Sequence, residues 1–156
     1  MSDLSIEVKT EFGKIQNAGL VDSIGTNARF CSPIGLAFMP KDADILFVCD
    51  SGNNCIRKIQ LSSKKVTNVG IASSGGGWRD GSVVRALYNS PRSICFEAED
   101  MYICDYANHV IRKIDSKQIV STITGKVKRE GPFDGLKVSA TNINLPSLAL
   151  QIPFGK

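Results

Sequence analysis

The residues best suited to chemistry in this chain occur twice, at matching positions. Asp50 and Asn53 belong to a ten-residue stretch that recurs with Asp105 and Asn108 in the same places, and six of the ten positions are identical. A carboxylate beside a carboxamide is a candidate for an active site. An active site, however, occurs once, whereas a structural requirement recurs in every repeat. We therefore interpret these four residues as structural repeat positions, whose side chains cap a turn between two strands.

Two further candidates for chemistry are weak. His109 is the only histidine, lacks a serine or cysteine partner at a suggestive spacing, and occupies the turn position that Asn54 holds in the other copy. Residues 74–78 form a glycine-rich loop without the lysine and the following helix of a phosphate-binding loop. With one histidine and no clustered cysteines, we expect neither a metal nor a cofactor.

Short strands must position these residues. Alternating or continuous apolar runs, separated by short turns, predict strands at residues 34–38, 45–49, 55–59 and 66–71, and again at 92–96, 101–104, 110–114 and 119–124. No segment has a convincing helical apolar stripe. Four antiparallel strands in each repeat of roughly 50 residues predict an all-β fold, a partial β-propeller built of four-stranded blades. The alternative is a β-sandwich, which does not require such close internal identity.

The repeat divides the chain into four parts. Residues 1–13 are predicted to hold the last strand of an incomplete preceding blade, at 8–13. Residues 14–71 and 72–125 form the first and second repeats. Residues 126–156 hold a connecting loop and the first strand of a third, incomplete repeat, at 147–151. Three accounts remain open: a fragment or isoform of a longer protein, a ring completed by head-to-tail self-association, or a stable partial propeller.

The order of motifs resembles the NHL-repeat family. A Pro-x-Gly at Pro33 precedes an apolar strand, the Asp-x-x-Asn motif at Asp50 precedes Ile-Arg-Lys-Ile, and Val-x-Thr-x-x-Gly begins at Val120. The resemblance covers nearly the whole chain and implies propellers that are usually six-bladed. Ser93 and Leu148 replace the glycine of the first motif in later copies. Some members bind RNA, and others are a lyase or hydrolase-like enzymes that use a metal and several histidines.

The repeat also places two Arg-Lys pairs in equivalent strands, Arg57-Lys58 and Arg112-Lys113. Side chains alternate along a strand, so one member of each pair is expected to face outward as an edge or inter-blade charge. A solvated or salt-bridged role is favoured. The alternative is a basic stripe that contacts phosphate.

Composition adds a few bounds. The chain has 156 residues, 42% of them hydrophobic, and a formal net charge of +4. This mild excess permits an acidic partner but does not argue for one. No apolar run is long enough to cross a membrane, and no signal peptide is visible. Five cysteines without Cys-x-x-Cys spacing indicate reduced thiols, and hence an intracellular, cytoplasmic location.

In a propeller, the loops between repeats and the turns between second and third strands share one face. The expected partner-binding residues on that face are Asn54, Trp78, Arg79, Arg85, Tyr106 and His109. Trp78 beside Arg79 suits a protein hot spot or stacking on a single-stranded base. We expect a non-enzymatic scaffold that binds a protein or peptide. The alternative is RNA binding, and an enzyme is disfavoured by the single histidine.

Overall fold

The computed structural model describes residues 6–125, which form two antiparallel sheets. Blade 1 has the order β1-β5-β4-β3-β2, and blade 2 has the order β6-β10-β9-β8-β7. The strands of blade 1 are β1 (Ser23–Ile24), β2 (Pro33–Met39), β3 (Asp42–Asp50), β4 (Cys55–Gln60) and β5 (Lys65–Val69). Those of blade 2 are β6 (Gly81–Ser82), β7 (Pro91–Glu97), β8 (Asp100–Asp105), β9 (Val110–Ile114) and β10 (Ile119–Gly125). The predicted third repeat, with its strand at 147–151, lies outside the described residues.

The all-β prediction is confirmed, with one addition to each four-stranded blade. A two-residue strand from the preceding loop pairs with the fourth strand, placing Ser23 opposite Val66 in blade 1 and Gly81 opposite Val120 in blade 2. The fourth strand would otherwise present unpaired backbone groups along its edge. The loop therefore becomes part of the sheet, and the loop residues are held close to the blade.

The strand predicted at residues 8–13 is not formed. Residues 6–22 contain no assigned strand, and Val8 is 93% exposed. The segment does approach blade 1 at Gly13, whose N–H donates to the Gly25 carbonyl at 3.3 Å. A strand requires a neighbouring strand to share its hydrogen bonds, and no described strand stands beside this segment. The alternation of residue types at 8–13 is therefore not sufficient to predict a strand there.

The main hydrophobic core lies between the two blades. Cys49 and Ile56 of blade 1 pack in one cluster with Ile94 and Ile103 of blade 2. At the same contact the rings of Phe47 and Phe96 are tilted, with centroids 5.6 Å apart. Facing sheets that interdigitate in this way are typical of consecutive propeller blades.

A second, smaller cluster lies on the opposite face of blade 1. It contains Ala28, Val48, Ile59 and Val66, and Phe30 packs against it. These residues belong to blade 1 and to the loop that precedes it, so no second sheet within residues 6–125 contributes to this cluster. The two faces of blade 1 therefore differ: one packs on blade 2, and the other is covered in part by residues 12–30 within the described part of the chain.

Candidate functional site

The recurring Asp and Arg residues form a buried ion network in each blade. In blade 2, Arg112 is 0% exposed and donates to Asp105 Oδ2 and Asp80 Oδ1, both at 2.8 Å. Burial raises the pKa of Asp105, while hydrogen bonds from Asn108 and the Asn89 backbone and the charge of Arg112 act in the opposite direction. A buried guanidinium is tolerated because carboxylates and carbonyls surround it.

Blade 1 repeats the network with the equivalent residues. Arg57 is also 0% exposed, and it donates to Asp50 Oδ2 at 3.0 Å and to Asp22 Oδ1 at 2.6 Å. Its guanidinium lies 5.0 Å from the ring centroid of Phe30. Two copies of one arrangement support a structural role for these charges.

The network of blade 2 holds the backbone on both sides of Trp78. Asn108 Nδ2 donates to the Gly77 carbonyl at 2.7 Å, and Arg112 Nη2 donates to the Arg79 carbonyl at 2.6 Å. The indole Nε1 donates to Thr122 Oγ1 at 2.9 Å, yet Trp78 remains 45% exposed. A large aromatic side chain is thus presented to solvent on a tightly bound segment.

Blade 1 presents a different apolar residue in the same setting. Asn53 Nδ2 donates to the Gly19 carbonyl at 2.8 Å, and Arg57 Nη2 donates to the Val21 carbonyl at 3.0 Å. Leu20 lies between these two bound carbonyls and is 45% exposed, the same fraction as its counterpart Trp78 in blade 2. Sequence reasoning missed Leu20. Aligning the Gly-x-x-Asp that starts at Gly19 with its later copy would have found it.

The turn-capping role predicted for the Asp-Asn pairs is not what the structure shows. Asp50 precedes a short 3-10 turn without a side-chain cap hydrogen bond, and its Oδ1 instead accepts from the Cys31 N–H at 2.7 Å. Asp105 likewise accepts from the Asn89 N–H at 2.7 Å. Because Asn53 and Asn108 also bind loop carbonyls, the pairs tether the loop that precedes each blade.

The six predicted partner-binding residues differ in their exposure to solvent. Trp78, Arg79 and Arg85 are exposed, Tyr106 is half-buried, and Asn54 and His109 are buried. The prediction that Asn54 and His109 are exposed on the binding face is therefore wrong. The Tyr106 ring is also covered, since the Arg92 guanidinium carbon lies 3.2 Å from its centroid.

Asn54 and His109 are buried because they serve the turn itself. Both adopt a left-handed backbone conformation, with φ of 54° and 58°. Asn54 also bridges to the next loop: its Oδ1 accepts from the Ser90 N–H and its Nδ2 donates to the Ser73 carbonyl, both at 2.8 Å. Asparagine and histidine are among the residues that tolerate this conformation.

The salt-bridged interpretation is correct for Arg57, Arg112 and Lys113, and the phosphate-contacting alternative is wrong for the two arginines. Both are fully buried and bound to carboxylates. Lys113 is partly exposed and forms an ion pair with Asp100. Within residues 6–125, no group of three or more His, Cys, Asp or Glu side chains is arranged to hold a metal ion. No helix of this part of the chain could span a membrane.

Two consecutive antiparallel sheets, packed face to face and joined by a loop bound to the following blade, define a β-propeller architecture. No family model matches the chain. It is nevertheless 26% identical over 138 residues to human NHL repeat-containing protein 2, and 26% identical over 142 residues to the chicken protein. The alignments cover 86% of this chain and 19% of each relative, so the chain spans about a fifth of their length. The two repeats of this chain are therefore similar to those of the NHL repeat-containing relatives, and each folds as a propeller blade.

Solved structures show the same fold. A Bacteroides thetaiotaomicron protein of unknown function superposes with a TM-score of 0.67 and 26% identity, covering 85% of this chain and 32% of that one. An auxiliary nutrient binding protein from Bacteroides ovatus superposes with a TM-score of 0.66 and 22% identity, covering 81% and 33%.

Proposed function

We propose that this chain is a non-enzymatic scaffold that binds a protein or peptide segment through Leu20, Trp78 and Arg79. The observation that carries the proposal is the exposure of Trp78 between two backbone carbonyls bound by buried side chains. Tryptophan and arginine are the residues most enriched among interface hot spots. The backbone around Trp78 and Arg79 is already held in place before a partner binds, and this lowers the entropy cost of binding.

The repeat suggests how the partner lies. Leu20 and Trp78 occupy equivalent positions on neighbouring blades and have the same fractional exposure, 45%. A segment that crosses from one blade to the next would meet an apolar contact on each. An extended peptide or a protein loop has that shape.

A binding role is also favoured over an enzymatic one. The carboxylates that could serve as acid or base recur in both blades, and each is bound to an arginine. His109 is buried in a left-handed turn position that asparagine fills in the other blade. Each of these residues has a role in holding the fold.

RNA is the weaker candidate partner. Nucleic-acid binding requires free cations along a surface. Here the two recurring arginines are fully buried, and among the six predicted partner-binding residues the exposed cations are Arg79 and Arg85. We therefore favour a protein segment that uses Trp78 as an apolar anchor.

The test is selection of binders from a displayed library of random peptides on the purified chain. Selected peptides are then titrated against Trp78→Ala, Leu20→Ala and the control Val84→Ala, which removes an apolar residue that is 62% exposed and is not part of the proposed surface. We expect Trp78→Ala to weaken binding by at least about tenfold, the typical loss at a hot spot. Unfolding curves confirm that the variants fold.

Equal affinity of the parent chain and the Trp78→Ala chain for the selected peptides would refute the proposed surface. A parallel titration with a fluorescent single-stranded RNA at increasing salt separates the two partner classes. Tight, salt-dependent RNA binding that Trp78→Ala weakens would overturn the proposal in favour of RNA.

A further inference from the structure

Arg92, near the start of β7, is a half-buried arginine whose N–H groups have no acceptor. Its guanidinium carbon lies 3.2 Å from the ring centroid of Tyr106, so the two groups stack. Within residues 6–125 it makes no hydrogen bond and no ion pair, and its Nε is buried without a partner. Arg57 and Arg112, by contrast, each bind two carboxylates. An unpaired polar group at such a position requires an explanation.

Two features hold this guanidinium in a defined position. Arg92 lies in a β-bulge, because Pro91 and Ser93 pair with two consecutive residues of β8. A bulge turns a side chain away from the regular alternation of its strand. The Tyr106 ring then supports one face of the planar guanidinium and leaves the N–H groups at its edge free to donate. The donors are therefore oriented before any ligand binds.

The stacked pair occurs in blade 2 and not in blade 1. The residues of blade 1 that correspond to Arg92 and Tyr106 are Ile34 and Ser51, which cannot form such a stack. Ser51 Oγ instead donates to the Pro91 carbonyl. A structural requirement recurs in both blades, as the fully buried arginine of each blade does, whereas a binding site occurs once. The single occurrence therefore favours a ligand over a role in holding the fold.

The charge of the pair indicates which ligand fits. Asp105, the acid that directly precedes Tyr106, already accepts from Arg112 and Asn108, both at 2.8 Å. The positive charge of Arg92 is therefore left for a ligand. One guanidinium donates two parallel N–H groups to one carboxylate and matches its single charge. A phosphate group carries about two negative charges at neutral pH, and this pair supplies one cation.

The pair lies on the same face of the propeller as Trp78. Arg92 follows the loop between the two repeats, which contains Trp78, and Tyr106 begins the turn between β8 and β9. We propose that Arg92, supported by Tyr106, binds the carboxylate of an aspartate or glutamate side chain in the peptide segment that Trp78 anchors. This inference rests on the proposed function and adds an acidic residue to the peptide. We call Arg92 and Tyr106 the carboxylate subsite.

The first test uses peptides selected on the parent chain, each also made with its acidic residues replaced by the corresponding amides. Both forms are titrated against the parent chain, Arg92→Gln and the control Arg85→Gln, which removes an exposed arginine outside the subsite. We expect Arg92→Gln to weaken the acidic form by at least about tenfold, the loss of a charged hydrogen bond, and to leave the amide form unchanged. Trp78→Ala should weaken both forms, so the two proposals can fail separately.

Thermal unfolding separates binding from a structural role. Arg92→Gln removes the contact with the Tyr106 ring and no described hydrogen bond, so its midpoint should lie within about 4 °C of the parent value. A decrease as large as that of Arg112→Met would identify Arg92 as a structural residue and overturn the proposal. Equal weakening of the acidic and amide peptides by Arg92→Gln would overturn it as well.

Side-chain NMR of the full chain tests the subsite without a peptide. Sodium acetate and, in a parallel series, sodium phosphate are titrated at constant ionic strength while the Nε–Hε signal of Arg92 is followed. We expect acetate to shift this signal to saturation and the signal of exposed Arg85 to show no saturation. No response to acetate, or a stronger response to phosphate, would refute a carboxylate ligand. Saturation by acetate without an acidic position in any selected peptide would identify a free small carboxylate as the ligand and overturn the peptide.

Discussion

Each blade has one fully buried arginine at its centre, and the surrounding groups are oriented to receive it. In blade 2, Arg112 donates to Asp105, Asp80 and the carbonyls of Leu87 and Arg79. Transfer of an ion from water to a protein interior costs several kcal/mol unless such partners replace the lost solvent. The arginine therefore ties a strand, a turn and the preceding loop to one point.

Replacement of Arg112 by methionine tests this role. Arg112→Met leaves Asp105 buried without its cation, and we expect a loss of about 3–5 kcal/mol in the free energy of unfolding. Urea unfolding measures the loss. The control Lys113→Met, one residue along the same strand and partly exposed, should keep a midpoint close to that of the parent chain.

If Arg112→Met and Lys113→Met lose the same unfolding free energy, the buried charge has no special role. The loop should respond as well, because Arg112 also binds the Arg79 carbonyl. The fluorescence of Trp78, the single tryptophan, should become more accessible to a soluble quencher in the Arg112→Met variant.

At the scale of elements, the close approach of β2 and β7 determines how the blades pack. A Cβ atom added at Gly35 would lie 2.3 Å from the Arg92 carbonyl oxygen and 2.8 Å from Ser93 Cα. Backbone atoms cannot yield as a flexible side-chain end can. The glycine of the Pro-x-Gly motif therefore permits the contact between the blades.

Gly35→Ala should separate the two strands and weaken the inter-blade core. We expect a loss of about 1–3 kcal/mol in unfolding free energy, the usual cost of overpacking. The control is Gly75→Ala, because a Cβ there meets no atom within 4 Å. Denaturant unfolding of both variants gives the comparison, and similar midpoints would show that the blades can move apart at no cost.

At the scale of the whole molecule, both blades contain buried cysteines: Cys49 and Cys55 in blade 1 and Cys104 in blade 2. Burial raises the pKa of Cys55 to about 12 and that of Cys104 to about 11, and it raises the pKa of Cys49 well above its ordinary value. The five described cysteines form no disulfide. The folded chain therefore retains protons that the unfolded chain releases in mild alkali.

The sign of the resulting pH dependence follows from proton linkage. Above about pH 9 the unfolded chain loses thiol protons while the folded chain keeps them, so stability falls as the pH rises towards the folded pKa values. Thermal unfolding midpoints across this range, under reducing conditions, measure the effect. We expect a steady decrease, and a smaller slope for a Cys55→Ala, Cys104→Ala double variant. A flat profile for the parent chain would contradict buried, protonated thiols.

The sequence alone predicted the repeat, the order of eight strands, the propeller fold and the equivalence of the two Asp-x-x-Asn motifs. These features depend on local information: alternation along a strand, glycine and proline at turns, and identity between copies. The same reasoning assigned His109 and Asn54 to one turn position. The tethering role of the Asp-Asn pairs required the fold, since Asn108 and Gly77 are 31 residues apart.

The tertiary structure decided which polar residues are buried and which apolar residues face solvent. Arg57 is buried because Asp22, 35 residues earlier in the chain, reaches it. Leu36 and Ile94 have similar side chains in equivalent strands, yet one is exposed and the other is buried by a neighbouring sheet. The exposure of a side chain depends on contacts between segments that are distant in sequence. The repeat pattern does not record those contacts, because equivalent strands have the same pattern whether or not a neighbouring sheet covers them.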